Sequence, residues 1–343
     1  MLKSTNSMET NMAYAWHLKS RPIGRPGLGN FELKQIALPS LEEGQIHVRN
    51  LWLSVDPYMR PRMDDNPRSY VPSFKVGEPL DGGAIGEVVE SRAPGFAPGD
   101  LVKHMMGWRD EAVLLATQAT PIKPIKDVPI EAYLGILGGP GLTAYFGLFD
   151  VAAAKTGDTV FVSGAAGAVG SAVVQLAKAR GLTVIASAGG ASKCAWIRGL
   201  GADAVIDYKA EGNLLDKLRA AAPQGIDVYF DNVGGEHLDA ALATGNQHAR
   251  FALCGMISEY NGDGAPTSLR HLAQAVMCRM TLRGFISFDY LHRKNEFETY
   301  VGELIATGKV HSRSTVFEGL NSVPEAFLGL FEGENKGKML IRL

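Results

Sequence analysis

The sequence predicts an α/β chain of two parts: a β-rich, turn-rich first part and a doubly wound parallel sheet covered by helices. Three observations carry this. Residues 45–53 (QIHVRNLWL) place apolar residues at alternating positions, the mark of a half-buried strand. From about Tyr133 onward, short apolar runs alternate with segments of helical period, the spacing of a parallel sheet with helices on both faces. Between the first such run and its helix lies Ser163–Ser171, SGAAGAVGS, with glycines at 164, 167 and 170.

The elements follow in order. Met1–Ala13 is polar, lacks an apolar core of its own and reads as a flexible tail. Gln45–Leu53 and Gly83–Glu90 (GAIGEVVE) read as strands, and Ala93–Asp100 (APGFAPGD) as Pro–Gly turn punctuation. Antiparallel, barrel-like packing follows for this part. Thr159–Ser163 is the first strand of the second part, and Ser171–Arg180 (SAVVQLAKAR) its helix. Thr183–Ser187, Ala204–Asp207, Ile226–Asp231, Arg250–Cys254 and Leu282–Ile286 are the further strands, with helices at Ser192–Gly199 and Leu214–Ala221. The tail holds a helix at Val323–Phe331 and ends in MLIRL. The expected domains are 1–136, 137–314, and a segment 315–343 that returns to the first domain.

Composition excludes several classes. At roughly 100–200 residues per domain, 343 residues suit two domains. Hydrophobic residues make up 46% and charged residues 20%, which argues against a disordered chain. The 34 basic and 36 acidic residues are mixed along the sequence, without the basic stripe of a nucleic-acid binder. Apolar stretches are broken well short of the ~20 residues a membrane helix needs. The three cysteines, Cys194, Cys254 and Cys278, are too widely spaced for a disulfide framework or metal clip, so a cytoplasmic protein is expected.

The glycine loop follows a strand and opens a helix, the context of a dinucleotide-binding turn of Rossmann type. Glycine lets the backbone approach a pyrophosphate, and the helix N-terminus offers unpaired N–H groups. An NAD site places a carboxylate about twenty residues further on, against the ribose. Here that stretch is Ser187-Ala188-Gly189-Gly190-Ala191-Ser192-Lys193, with a cation and no carboxylate. That favours NADP(H). Catalytic zinc is not expected. Residues 1–193 hold no cysteine, and only His17, His47 and His104, at no ligand-like spacing. The sequence also lacks a GxSxG elbow, an HExxH pair and a Walker loop.

From about Trp16 to Leu343 the chain resembles the zinc-independent medium-chain dehydrogenase/reductases. More narrowly it resembles the branch of prostaglandin reductase (leukotriene B4 12-hydroxydehydrogenase), plant NADP-dependent alkenal double bond reductases and curcumin-reductase-like proteins. The matching segments are Ser20-Arg21-Pro22, Ser54-Val55-Asp56-Pro57-Tyr58-Met59-Arg60, the loop Ala165–Gly170, and Phe230-Asp231-Asn232-Val233-Gly234-Gly235. Cys254-Gly255-Met256-Ile257-Ser258-Glu259-Tyr260-Asn261 and Asn335-Lys336-Gly337-Lys338 complete the set. The resemblance implies a GroES-like first domain completed by the C-terminal segment, an inserted Rossmann domain, a homodimer, and NADPH-dependent reduction of a small hydrophobic enone or enal.

Carried over residue by residue, it implies that Gly167, Ala168, Val169 and Gly170 touch the pyrophosphate. Lys193 and Tyr208 hold the 2′-phosphate, with Gly189 among the cofactor residues. Asn232, Cys254, Gly255, Met256, Ile257, Ser258 and Tyr260 lie along the cofactor. Phe285, Ile286, Ser287 and Asn335 serve its nicotinamide end and phosphates. Tyr58 and Tyr260 face the substrate. Trp108, in the methionine-rich loop His104–Arg109, and Tyr290 are further substrate-wall residues.

Reducing an enone requires a hydride at the β-carbon and a donor for the charge that builds on oxygen. A tyrosine hydroxyl supplies such a donor without a metal. Tyr260 is the expected catalytic donor. The competing readings are an NADPH:quinone reductase and a non-catalytic NADPH-binding protein. In the latter both tyrosines merely pack.

Overall fold

The computed structural model describes residues 11–262 and 268–343. The chain divides into two compact units. Unit 1 takes the chain to Val128 together with Val316–Leu328 and Leu340–Leu343; unit 2 takes Pro129–Thr315 and Gly329–Met339. The division thus falls at Val128/Pro129 rather than at 136/137. The tail 315–343 is also shared between the units, because Gly329–Met339 belongs with the parallel sheet.

Unit 1 is built from β1 (Met12–Leu18), β2 (Phe31–Ala37), β3 (Gln45–Ser54), β4 (Ala84–Ser91), β5 (Leu101–His104), β6 (Glu111–Leu115) and β7 (Thr120–Pro121). β1 and β2 pair antiparallel from Met12 opposite Ala37 to Leu18 opposite Phe31. Met12 and Ala13 are therefore strand residues, not the end of a flexible tail. Asn11 O accepts from Leu38 N at 2.8 Å just before the strand, and residues 1–10 of that expectation fall outside those described. β3 pairs antiparallel with both β4 and β6. Its alternation buries Ile46 and Val48 with Val88, Val102, Ala112 and Leu114.

Unit 2 carries β8 (Thr159–Val162), β9 (Thr183–Ala188), β10 (Ala204–Asp207), β11 (Ile226–Asp231), β12 (Gly245–Leu253) and β13 (Thr281–Gly284). They form one sheet in the order β10-β9-β8-β11-β12-β13, and every pairing is parallel. In chain order this is 3-2-1-4-5-6, the doubly wound dinucleotide-binding arrangement, and its order reverses between β8 and β11. The continuous apolar runs follow from burial on both faces: Val160, Phe161 and Val162 are fully buried, as are Val228, Tyr229 and Phe230. The last strands, β14 (Ser314–Glu318) and β15 (Lys338–Arg342), end in unit 1, where Leu340–Arg342 pair with Ser54–Trp52 of β3.

Four helices of unit 2 are not foreseen in the sequence reading: Gly139–Phe146, Gly235–Thr244, Ala273–Met277 and Lys294–Ala306. The first two open on glycines, and the first also on Pro140, signals that read as turns. Yet proline and glycine at a helix start leave no intrahelical bond unmade. In Lys294–Ala306 the buried Phe297, Val301 and Leu304 do follow helical spacing, masked by charged neighbours.

Candidate functional site

The strand ends around the switch point lie in step. Val162 sits beside Phe230, Asp231 beside Leu253, and Leu253 beside Gly284. The expected cofactor residues after β8, β11, β12 and β13 therefore emerge along one carboxyl edge, the edge at which such sheets bind ligands.

After β8 the chain turns through Ser163–Gly167, and the helix Ala168–Ala179 begins with Gly167 as its extended N-cap residue. A side chain on Gly170 would run into the Gly164 carbonyl oxygen and Ala165 Cα, so only glycine lets the helix close on the loop. The first-turn N–H groups and the positive end of the helix face this cradle, a donor set suited to a pyrophosphate. The loop is also fastened from the far end of the unit: Gly337 N–H donates to Ala166 O at 2.9 Å, and Asn335 Nδ2 to Gly337 O at 2.9 Å. Asn335 is thus near the loop, with its side-chain amide bracing its own turn.

Asp231, fully buried at the end of β11, ties the edge together. Its Oδ1 accepts from Tyr229 Oη at 2.7 Å, Ser163 Oγ at 3.1 Å, Val233 N at 3.0 Å and Gly234 N at 2.8 Å. Burial pushes its carboxyl above the ordinary range, and these donors pull the other way. Asn232 gives its backbone N–H to Ser163 Oγ at 2.9 Å and its Nδ2 to Ser163 O at 2.7 Å, bridging the two switch-point strands. The sequence reading missed Ser163 and Asp231; neither carries a motif signal apart from the segments that hold them.

The turn after β12 is laced to the same edge. Cys254 N and Gly255 N donate to Asp231 O at 2.9 and 3.0 Å, Ile257 N to Asn232 O at 3.3 Å, and Ser258 N to Val233 O at 3.1 Å. Met256 N donates to Tyr260 Oη at 3.4 Å, folding the tyrosine back over its turn. Burial, reinforced by the Asp231 carboxylate, pushes the Cys254 thiol up to about 12, so it stays a neutral thiol rather than a nucleophile. Phe285 stands edge-on to Phe230 at 6.2 Å, and it, Ile286 and Ser287 are all half-buried beyond β13.

The carbonyl side of β9 is different chemistry. Beyond Ala188 come Gly189 and Gly190, then the helix Ala191–Gly199 carrying Lys193. A Cβ on Gly189 would lie 2.8 Å from Tyr208 Oη and 3.0 Å from Lys209 Cε, so the turn passes directly beneath these two side chains. Burial, then the charges of Lys209 and Lys336, hold the Lys193 ammonium below the ordinary lysine range. The Asp207 carboxylate at the end of β10 is turned to the backbone: its Oδ1 accepts from Gly190 N at 2.9 Å and Lys209 N at 3.0 Å. This end of the sheet thus offers cations and a phenol hydroxyl to an anion.

Two expected substrate-wall residues are corrected. Trp108 is 1% exposed, stacked on Phe31 at 5.6 Å and edge-on to Phe327 at 5.7 Å, a core side chain of unit 1. Tyr290 is 7% exposed, stacked on Phe146 at 4.6 Å and hydrogen-bonded to Asp150. Neither has a face to give a substrate. Tyr58, in unit 1, is half-buried; burial and the Asp56 carboxylate raise its phenol well above the ordinary range, so it is a neutral hydroxyl. The first-part histidines stand apart: His47 pairs with Glu111 at 2.7 Å, His104 Nδ1 accepts from Met106 N at 3.1 Å, and His17 lies against Ala15 O. Among the described residues, no group of three His, Cys, Asp or Glu side chains could hold a metal ion.

A β-rich unit joined to a doubly wound unit with a glycine cradle defines a two-domain nucleotide-dependent oxidoreductase. Residues 14–122 match the family profile described as "N-terminal domain of oxidoreductase", and residues 168–307 that described as "Zinc-binding dehydrogenase". The chain is 42% identical over 328 residues to the 2-alkenal reductase (NADP(+)-dependent) of Nicotiana tabacum, covering 94% of this chain and 95% of that one. It is 39% identical over 334 residues to the NADPH-dependent curcumin reductase of Escherichia coli, covering 96% of both chains. The crystal structure of CurA from Vibrio vulnificus in complex with NADPH superposes with a TM-score of 0.91 at 39% identity, covering 96% of this chain and 98% of that one. The protein belongs to the medium-chain dehydrogenase/reductase family, in the zinc-independent branch of the curcumin, alkenal and prostaglandin reductases.

Proposed function

We propose that the protein is an NADPH-dependent reductase of the C=C double bond in α,β-unsaturated ketones and aldehydes. The observation that carries this reading is the turn Cys254–Tyr260, fastened to the end of β11, which holds a tyrosine hydroxyl at the carboxyl edge of the sheet. The glycine cradle suits the pyrophosphate, and Lys193 with Tyr208 suits the 2′-phosphate. Bound NADPH supplies the hydride for the substrate's β-carbon. Tyr260 donates a hydrogen bond to the substrate oxygen as negative charge develops there, and the α-carbon then takes a proton from water. Tyr58 orients the substrate through its hydroxyl. A second copy of the chain belongs to the proposal, docking on the β13 edge of the sheet.

The test is Tyr260→Phe. Loss of one such donor costs roughly 10²–10³ in rate. We expect kcat on an alkenal, measured at saturating NADPH, to fall by that factor. Full turnover by the variant would remove Tyr260 from the reaction.

A further inference from the structure

We infer that Lys336 is a second ammonium ligand of the cofactor's 2′-phosphate, brought in by the C-terminal segment and aimed by Ser192, and that it sets the preference for NADP(H) over NAD(H). This rests on the NADPH reading above and extends it to residues outside the expected Lys193–Tyr208 pair.

The backbone around Lys336 is pinned on both sides. Lys336 N donates to Thr315 Oγ1 at 2.9 Å, and Thr315 Oγ1 donates back to Lys336 O at 3.1 Å. Gly337 N reaches Ala166 O at 2.9 Å, and Lys338 N reaches Arg313 O at 3.0 Å. From this fixed base the side chain runs to the first turn of the helix Ala191–Gly199, where Nζ donates to Ser192 Oγ at 2.6 Å. Ser192 immediately precedes Lys193. The serine hydroxyl accepts from Lys336, which leaves its own proton free to donate.

Three lysines gather at this end of the sheet: Lys209 Cε lies 3.0 Å from the position of a Cβ on Gly189, Lys193 Nζ lies 3.4 Å from that of a Cβ on Gly333 in the C-terminal segment, and Lys336 Nζ sits on Ser192. Lys209 and Lys336 are the two charges that act most on Lys193. Among the described residues, no carboxylate forms an ion pair with any of the three. Asp207, at the end of β10, is engaged by the backbone N–H groups of Gly190 and Lys209. Like charges held together without a counter-ion repel one another unless an anion joins them. A phosphate monoester, carrying about −1.5 to −2 charge and three acceptor oxygens, matches three ammonium groups and a hydroxyl. A ribose bearing only a free 2′-hydroxyl would leave the repulsion in place.

The experiment is calorimetric titration of adenosine 2′,5′-bisphosphate and of adenosine 5′-monophosphate into wild type, Lys336→Met, Lys193→Met and Ser192→Ala. A charge-assisted hydrogen bond supports an expected loss of roughly 10- to 100-fold in bisphosphate affinity for Lys336→Met. Monophosphate affinity should not change, and Lys336→Arg should restore most of the loss. Ser192→Ala should show a smaller loss confined to the bisphosphate. If Lys336→Met binds the bisphosphate like wild type while Lys193→Met does not, the Lys336 assignment is overturned and the NADPH reading stands. If wild type binds both nucleotides equally, the NADPH reading fails and this inference with it.

Discussion

Two histidines show how burial sets charge in this protein. Burial, with the Arg109 cation beside it, pushes His104 down to about 4; burial alone does the same to His237, whose ring lies against Phe161 and Tyr208. Both are neutral in the folded chain at pH 7, while in the unfolded chain each titrates near the ordinary value of about 6.5. Between pH 6.5 and 4 the unfolded chain therefore binds more protons, so stability falls as pH falls through that window. The loss is complete below pH 4, at up to about 3 kcal/mol for each histidine. Thermal unfolding midpoints at pH 7.5, 5.5 and 4.5 should drop less steeply in His237→Phe, which keeps a ring and removes the titrating group. Parallel curves for variant and wild type would contradict this. Such residues were only partly legible in the sequence. The turn and helix that hold Gly167 and Gly170, and the helix start that holds Lys193, could be placed from motif and spacing. Trp108 and Tyr290 could not, because an aromatic in a loop next to a motif looks the same whether it faces solvent or fills a core.

At the scale of elements, the parallel strands were the most readable part. Burial on both faces forces a continuous apolar run, and Ile226–Asp231 and Ala204–Asp207 carry no competing pattern. β1 and β2 were not read at all. In β1 the exposed positions carry Met12 and Tyr14 and the buried ones Ala13 and Ala15, so its alternation does not show as apolar against polar, and its pairing with β2 makes it a strand. The edge strand β13 bears on assembly. Thr281, Arg283 and Gly284 are exposed on it, and the neighbouring helix Ala273–Met277 presents Val276 at 81% and Met277 at 59% exposure. A bare edge flanked by apolar side chains is a template for another strand, and a two-fold pairing of two copies covers both. Light scattering during size exclusion should give twice the mass of one chain for wild type, shifting toward a single chain in Val276→Glu. A wild-type protein that elutes as one chain at micromolar concentration would contradict the dimer.

For the molecule as a whole, the reaction class depends on unit 2. One carboxyl edge carries the glycine cradle, the Asp231 brace and the Tyr260 turn, and beyond the end of β9 stands Lys193, which pairs with no carboxylate among the described residues. No described helix is long and apolar enough to cross a membrane. The double winding and its glycine turn were legible because strand runs and glycine spacing fix them locally. The division of the tail between the units was not, since it depends on hydrogen bonds such as Gly337 to Ala166 across 171 residues of sequence. The central claim is that a hydride reaches the β-carbon of an enone. It is tested most directly by incubating the protein with an aryl enone and NADPH deuterated at the transferable position, then locating the deuterium by NMR. The expected product is a saturated ketone with deuterium on the β-carbon. An allylic alcohol with deuterium on the former carbonyl carbon would contradict it.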